Sequence, residues 1–222
     1  MFTAKEAFGS DASALFNHLT GYSLAPKYQK FIVAPTGIRD FFNGMVETEI
    51  KNAENGLPSG ITLKVNSVLD AGIIRTLYAA SNAGVKIKMI VRGICSLIPE
   101  IPGFSENIEI ISIVGQLLEH SRIFVFENGG DKKYFLGSAD LMPRNIERRV
   151  ELIFPVEDSD IKARLDEVLL LQLEDTVNAR EKSGDDSYSL LIPPAGEAPL
   201  NSQEECSLRA LRAIQNLEQI EK

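Results

Sequence analysis

The feature that most constrains the fold is an alternation of hydrophobic periods between residues 30 and 92. KFIVA at 30–34 reads as a short strand closed by Pro35. GIRDFFNGMVETEIKNAE at 37–54 then sets Ile38, Phe41, Phe42, Met45, Val46 and Ile50 at helical spacing. NGLPSG breaks the pattern, and ITLKVN (61–66) alternates as a strand. LDAGIIRTLYAASNAG (69–84) reads as a helix with Asp70 near its start and Gly84 just past its end, and VKIKMIVR (85–92) is again a strand. Strand, helix, strand, helix, strand within about 65 residues is the pattern of a parallel α/β sheet.

Four further strand-like runs follow: IEIISIV (108–114), RIFVFE (122–127), KYFLGS (133–138) and RVELIFPV (149–156). NGGDK between the second and third signals a hairpin. Residues 159–181 read as one long amphipathic helix, SGDDSYSLLIPPAGEAPLNS as irregular chain, and 203–221 as a last helix. That helix repeats Leu208, Leu211, Ile214, Leu217 and Ile220 at helical spacing, a stripe that docks inside the molecule or meets another subunit. At the other end, SDASALFNHL (10–19) is a short helix capped by Ser10 or Asp11, with TGYSLAPKYQ as linker. The expected organisation is an N-terminal helix and linker over 1–28, an α/β domain over 29–190, and a linker and tail helix over 191–222. No internal repeat is visible.

Charge narrows the function classes. The 23 Lys and Arg against 31 Asp and Glu give a formal net charge of −8. Residues 1–150 carry 16 basic and 15 acidic side chains, and residues 151–222 carry 7 and 16, so the acidity belongs to the last third. A duplex-binding domain is normally strongly basic, and no nucleic-acid partner is expected. A local anion site within residues 1–150 is allowed, because net charge does not describe a pocket. No run approaches the ~18 apolar residues of a membrane span, and MFTAKEAFGSD has no basic head followed by an apolar stretch. Cys95 and Cys206 form no CxxC pair, which argues against a disulfide scaffold and a thiolate zinc site. A cytoplasmic protein is expected, with peripheral attachment to a membrane left open.

Chemistry concentrates in a few residues. His18 sits in the first helix with no acid or second ligand nearby in sequence and reads as a surface or packing side chain. His120 stands in LLEHSRIFVF immediately before a strand, with Arg122 two residues on. After the hairpin comes LGSADLMPRN, giving the order His-x-basic, strand, turn, strand, Gly-Ser-x-polar. Residues two apart at a strand start share a face, so His120 and Arg122 can address one ligand, and the returning strand brings Ser138 and Asp140 to the same end. An imidazole there can act as nucleophile or general acid/base on a phosphoryl group, with the basic partner on its non-bridging oxygens and small Gly137 and Ser138 admitting backbone donors. Arg92 ends a buried strand, the place where open α/β sheets bind ligands, unless it is a salt-bridge partner of Asp70 or Glu119. Arg144, Arg148 and Arg149 form a further basic group suited to phosphate, and alternation puts Arg148 and Arg149 on opposite faces. A basic corridor of Lys64, Arg92, Arg122, Arg144 and Arg149 would let polyanions approach an acidic protein. No P-loop, dinucleotide fingerprint or nucleophile elbow is present, and two distant histidines make a catalytic zinc site improbable.

At these residues the sequence resembles the C-terminal part of the polyphosphate kinase family that makes long-chain polyphosphate from ATP. The resemblance runs through LPSGITLKVNSVLDAGIIRTLYAASNAGVKI, MIVRGICSLIPEIPGFSENIEIISIV, LLEHSRIFVFENGGDKKYFLGSADLMPRNIERRVEL and LEDTVNAR, over roughly residues 1–190. It implies a phospholipase D-like α/β/α sandwich with a mixed, mostly parallel sheet and a C-terminal helical tail. It also implies reversible transfer of the ATP γ-phosphate to polyphosphate through a phosphohistidine. On that pattern Arg92 is an ATP-phosphate ligand, His120 is the second active-site histidine, and Arg149, with Arg144, lies on phosphate. Ser138 and Asp140 fall at a Gly-Ser-x-Asn position of the superfamily, with Asp140 replacing Asn. The phosphorylated histidine belongs to an IHAK-like element of a preceding domain, together with the Mg2+ ligands. This chain has neither, so no metal ligand is expected in it, and alone it is expected to be inactive. ATP or ADP and polyphosphate are the implied partners, with homo-oligomerisation possible for the full-length enzyme. The competing readings are a phospholipase D-type phosphodiesterase or nuclease that pairs two His120 elements by dimerisation, and a non-catalytic assembly domain.

Overall fold

The computed structural model describes residues 3–21, 24 and 26–220. Helix α1 (Glu6–Leu19) starts before the expected Ser10, with Lys5 at its N-cap. Asp11 does not cap it. Its buried carboxylate accepts the backbone N–H groups of Gln29, Lys30 and Phe31 at 2.6–3.0 Å, tying α1 to the start of the sheet domain. Burial alone would raise its pKa, but these three donors and the Lys30 charge hold it below the usual carboxylate range. Positions 22, 23 and 25 of the expected linker lie outside the described residues.

Strand β1 (Ile32–Val33) leads into α2 (Ile38–Glu54), β2 (Gly60–Val65), α3 (Ala71–Asn82), β3 (Lys86–Val91) and β4 (Ile108–Ile113). The hairpin β5 (Ile123–Phe126) and β6 (Lys133–Gly137) follows, then α4 (Pro143–Glu147), β7 (Leu152–Val156) and α5 (Ser159–Leu173). The chain closes with β8 (Ala179–Lys182), β9 (Tyr188–Leu190) and α6 (Ser202–Ile220). These nine strands form one sheet in the order β1-β7-β6-β5-β2-β3-β4-β8-β9. Among them only β2–β3 and β3–β4 pair in parallel, and the other six pairings are antiparallel. The sheet is therefore mixed as expected, but its antiparallel pairings outnumber the parallel ones. The parallel trio β2–β3–β4 is flanked on both sides by antiparallel strands, β5, β6, β7 and β1 on one side and β8 and β9 on the other, and β1 does not join the crossover β2–α3–β3 as a third parallel strand.

Alternation along the strands builds two cores. Leu63, Val65, Met89, Val91, Phe124 and Phe126 face α2 and α3, whose Phe42, Val46, Ile73 and Leu77 are fully buried. Ile90, Ile111, Ile123, Val125 and Tyr134 face Leu169 and Leu165 of α5. The result is a helix–sheet–helix sandwich. Asp70 caps α3 by accepting Ile73 N–H at 2.9 Å and also receives both terminal nitrogens of Arg39 at 2.9 Å. Asp70→Ala removes cap and ion pair, while Asp70→Asn keeps a cap. Thermal unfolding should therefore rank wild type, Asn, Ala in falling stability, with about 1 kcal/mol between the two variants.

Several boundaries move for local reasons. The expected helix 159–181 stops at Leu173. There the fully buried Asp175 carboxylate accepts the N–H groups of Val177, Asn178 and Ala179 and the N–H and hydroxyl of Ser202. Residues 179–182 are strand β8, and the expected irregular stretch contains β9. The strand expected from 149 begins at 152, after the short helix α4 with Pro143 in its first turn. Arg148 and Arg149 thus precede the strand, and both are exposed. On α6, Leu208, Leu211 and Ile214 are exposed, so this part of the stripe does not dock inside the molecule. Leu217 and Ile220 lie outside the described side chains.

Candidate active site

The topology collects the candidate residues at one end of the sheet. β2 and β3 are parallel neighbours, so Asn66 and Arg92, the residues after each, emerge side by side at the carboxyl end. β5 runs antiparallel to β2, which brings the residues before it, His120 and Arg122, to that same end. β6 returns antiparallel to β5 and delivers Ser138 and Asp140 there. Gly93 allows the close approach of the β2 and β3 ends. Its N–H donates to Asn66 O at 2.7 Å, and a Cβ there would stand 2.8 Å from that oxygen.

A continuous hydrogen-bonded chain runs through these residues. The Arg92 Nε and Nη2 groups donate to Asn66 Oδ1 at 3.0 and 2.8 Å. Asn66 donates its backbone N–H and its side-chain amide to Asp140 Oδ1 at 2.7 and 3.1 Å. Asp140 also accepts Arg122 Nε at 3.2 Å and Nη2 at 2.8 Å. The remaining terminal nitrogen of Arg122 donates to His120 Nδ1 at 3.0 Å and to the His120 carbonyl at 2.8 Å. Asp140 and Arg122 are both about nine-tenths buried as side chains. Burial alone would raise the Asp140 pKa, but Arg122 and Asn66 hold it below the usual carboxylate range. The carboxylate therefore orients the arginine and is not aimed at a ligand.

The contact between Arg122 and His120 sets the histidine's chemistry. A guanidinium N–H only donates, so Nδ1 must accept, and the ring proton resides on Nε2. His120 is exposed and presents Nε2–H outward as a donor. An imidazole held in this tautomer can donate a hydrogen bond from Nε2 but cannot act as a nucleophile through that nitrogen.

Arg92 is half-buried, and the described ion pairs include none to it. The alternative of a salt bridge to Asp70 or Glu119 does not hold, because Asp70 binds Arg39 and Glu119 binds Lys64 at 2.6 Å. Lys64 is accordingly neutralised inside the fold, as Arg122 is by Asp140, and neither offers free charge to a corridor. Arg144, Arg148 and Arg149 are exposed and take part in no described ion pair. No described side-chain contact links them to the Arg92–His120 chain, although Glu147 on the same short helix binds Arg39 at 2.6 Å. Ser138 donates to the Glu151 carboxylate and accepts Leu152 N–H at 3.1 Å, and Glu151 also receives Asn145 Nδ2 at 2.6 Å. The space beside Gly137 belongs to β7, since a Cβ there would meet Leu152 O at 2.5 Å. Gly137 thus serves strand packing and not the approach of a ligand.

Sequence reasoning passed over Asn66 as a site member, and it passed over Gln172, Gln203 and Glu151 altogether. A polar residue ending a buried strand was the available signal for Asn66. Gln172 and Gln203 meet Glu119 only through the fold. Among the described residues no three His, Cys, Asp or Glu side chains converge as a metal site. The local carboxylates of Asp140, Glu119 and Glu151 are each engaged by protein donors.

The fold is an α/β sandwich with a histidine–arginine pair and, beside it, an arginine that takes part in no described ion pair, all gathered at one end of the sheet. The family model described as "Polyphosphate kinase C-terminal domain 2" matches residues 31–203, and the chain belongs to that family. It is 45% identical to a polyphosphate kinase of Thermosynechococcus vestitus over 97% of this chain and 29% of that protein. It is 46% identical to one of Staphylococcus haemolyticus over 98% of this chain and 30% of that protein. The crystal structure of the Porphyromonas gingivalis polyphosphate kinase superposes with a TM-score of 0.91 at 33% identity, covering 97% of this chain and 33% of that one. The chain thus spans about 30% of the length of the curated relatives it matches. Among the described residues no helix is long and apolar enough to cross a membrane.

Proposed function

We propose that this chain is the phosphate-holding part of a polyphosphate kinase that moves the γ-phosphate of ATP to polyphosphate and back. The observation that carries this reading is Arg92: a half-buried guanidinium at a strand end, held by the neutral Asn66 carbonyl, with its charge left for an anion. His120 supports it by presenting Nε2–H beside Arg122. In this reading Arg92 binds the non-bridging oxygens of the transferring or β-phosphate. His120 donates to a phosphate oxygen on which charge grows as ADP leaves, and Arg122 fixes the ring. Exposed Arg144 and Arg149 meet more distant phosphates of the chain. The γ-phosphate bond to ADP breaks as a bond forms to a histidine nucleophile contributed by another part of the longer protein. Mg2+ arriving on ATP supplies charge neutralisation, and its ligands lie outside this chain. The test is polyphosphate synthesis by the complete kinase carrying His120→Ala or Arg92→Ala, with each expected to lose activity. The present chain alone is expected to bind Mg-ATP without making polyphosphate, and synthesis by it would sink the reading.

Because Lys64 and Arg122 are internally neutralised, polyphosphate affinity should depend on Arg92, Arg144, Arg148 and Arg149. It should fall as salt rises. The Arg144→Ala/Arg149→Ala double variant should flatten that salt slope. The check is a polyphosphate titration at several ionic strengths.

A further inference from the structure

Resting on the assignment of His120 above, we propose that Gln203 is a positioning residue that clamps the His120 loop, making the first turn of α6 part of the active-site scaffold. Residues 115–121 belong to no helix or strand and make no described backbone-to-backbone hydrogen bond. Something else must hold a segment whose last turn carries the histidine. Gln203, nine-tenths buried, does so through its amide. Its Oε1 accepts Leu117 N–H at 2.9 Å, and its Nε2 donates to Leu117 O at 2.9 Å. This two-way pairing reproduces one rung of a β-ladder with a side chain in place of a strand.

The same Nε2 donates to Glu119 Oε1 at 2.9 Å, one residue before His120. Glu119 is held from two other sides, by Lys64 of β2 at 2.6 Å and by Gln172 of α5. Burial would raise the Glu119 pKa, but these donors hold it below the usual range, so it remains a carboxylate that can accept all of them. Gln203 is itself fixed from behind: its neighbour Ser202 binds Asp175, and Thr176 and Leu200 exchange two hydrogen bonds at 2.9 Å. Gly115 completes the fit, since a Cβ there would stand 2.5 Å from Gln203 Oε1 and 2.9 Å from its Cδ. The glycine leaves the room that the amide occupies.

The geometry gives two independent ways to loosen one clamp. Gln203→Met keeps the length and removes the hydrogen bonds. Gly115→Ala keeps the amide but pushes it aside. Each should speed Leu117 amide hydrogen exchange, move the His120 ring nitrogen NMR signals and weaken Mg-ATP binding about five- to tenfold, the scale of one or two lost hydrogen bonds. Combining Gly115→Ala with Gln203→Ala is the decisive arm. The three atoms nearest the added methyl all belong to this amide, so once it is gone the double variant should match Gln203→Ala alone. Wild-type exchange at Leu117 and unmoved His120 signals in Gln203→Met would overturn the clamp, as would effects of Gly115→Ala and Gln203→Ala that simply add. His120→Ala separates the two ideas. If it leaves Mg-ATP affinity intact, the role given to His120 fails, while exchange at Leu117 still judges the clamp.

Discussion

Arg92→Ala is expected to lower Mg-ATP affinity by roughly ten- to a hundredfold, the scale of one or two charge-assisted hydrogen bonds to phosphate. The loss should come with little change in stability. Among the described residues the Arg92 side chain donates only to Asn66 Oδ1, and Asn66 keeps its bonds to Asp140 when the guanidinium is gone. Arg92→Lys should recover little, because an ammonium cannot bind the Asn66 carbonyl through two nitrogens and still present a fork to phosphate. Calorimetric titration beside thermal unfolding makes the comparison. A destabilised Arg92→Ala protein with normal affinity would mean that the guanidinium serves the fold.

Asp140→Ala should have the opposite profile, a large loss of stability. It strands the Arg122 guanidinium and the Asn66 N–H in a site that is about nine-tenths buried. Breaking a buried pair from one side costs about 3–5 kcal/mol. Asp140→Asn preserves shape and one acceptor oxygen, so it should cost less. The pH dependence has a definite sign. Because the folded pKa of Asp140 is depressed, its contribution is complete above the unfolded value near ~4 and is lost as pH falls through the lower folded value. The stability gap between wild type and Asp140→Asn should therefore be constant at neutral pH and close on acidification. Urea unfolding of both proteins across the acid range reads this directly, and a gap that persisted at the lowest pH would contradict the pairing.

Much of this could be seen in the residues. Alternating runs located the central strands, and the helical spacing of Ile38, Phe42 and Val46 located α2 because those side chains fill one core. The polarity of pairing was legible at the NGGDK hairpin, but nothing in β5 marks that its other neighbour, β2, also runs antiparallel to it. The end of α5 was hidden because LEDTV continues an amphipathic pattern. What stops the helix is Asp175 turning to N–H groups that include one from Ser202, a partner invisible in local sequence. For the site, His120, Arg122, Asp140 and Arg92 stood out because charged or titratable groups at strand ends have few structural excuses. Gln172 and Gln203 did not stand out, because neutral amides on helices are common and their meeting at Glu119 depends on α5 and α6 both folding over one face.

The sheet's connectivity also bears on how the chain acquires its shape during synthesis. Ile32 finds its partner in Ile153, about 120 residues later, and Lys30 finds Glu157. Until β7 has left the ribosome, β1 has no strand to join and α1 has lost part of its anchorage. Synthesis proceeds at ~5–20 residues per second, so that edge waits several seconds while β2, α3, β3 and β4 can already associate in order. Within this stretch of the nascent chain, protease resistance should therefore appear first over β2 to β4, with α1 and β1 protected only after β7 has emerged.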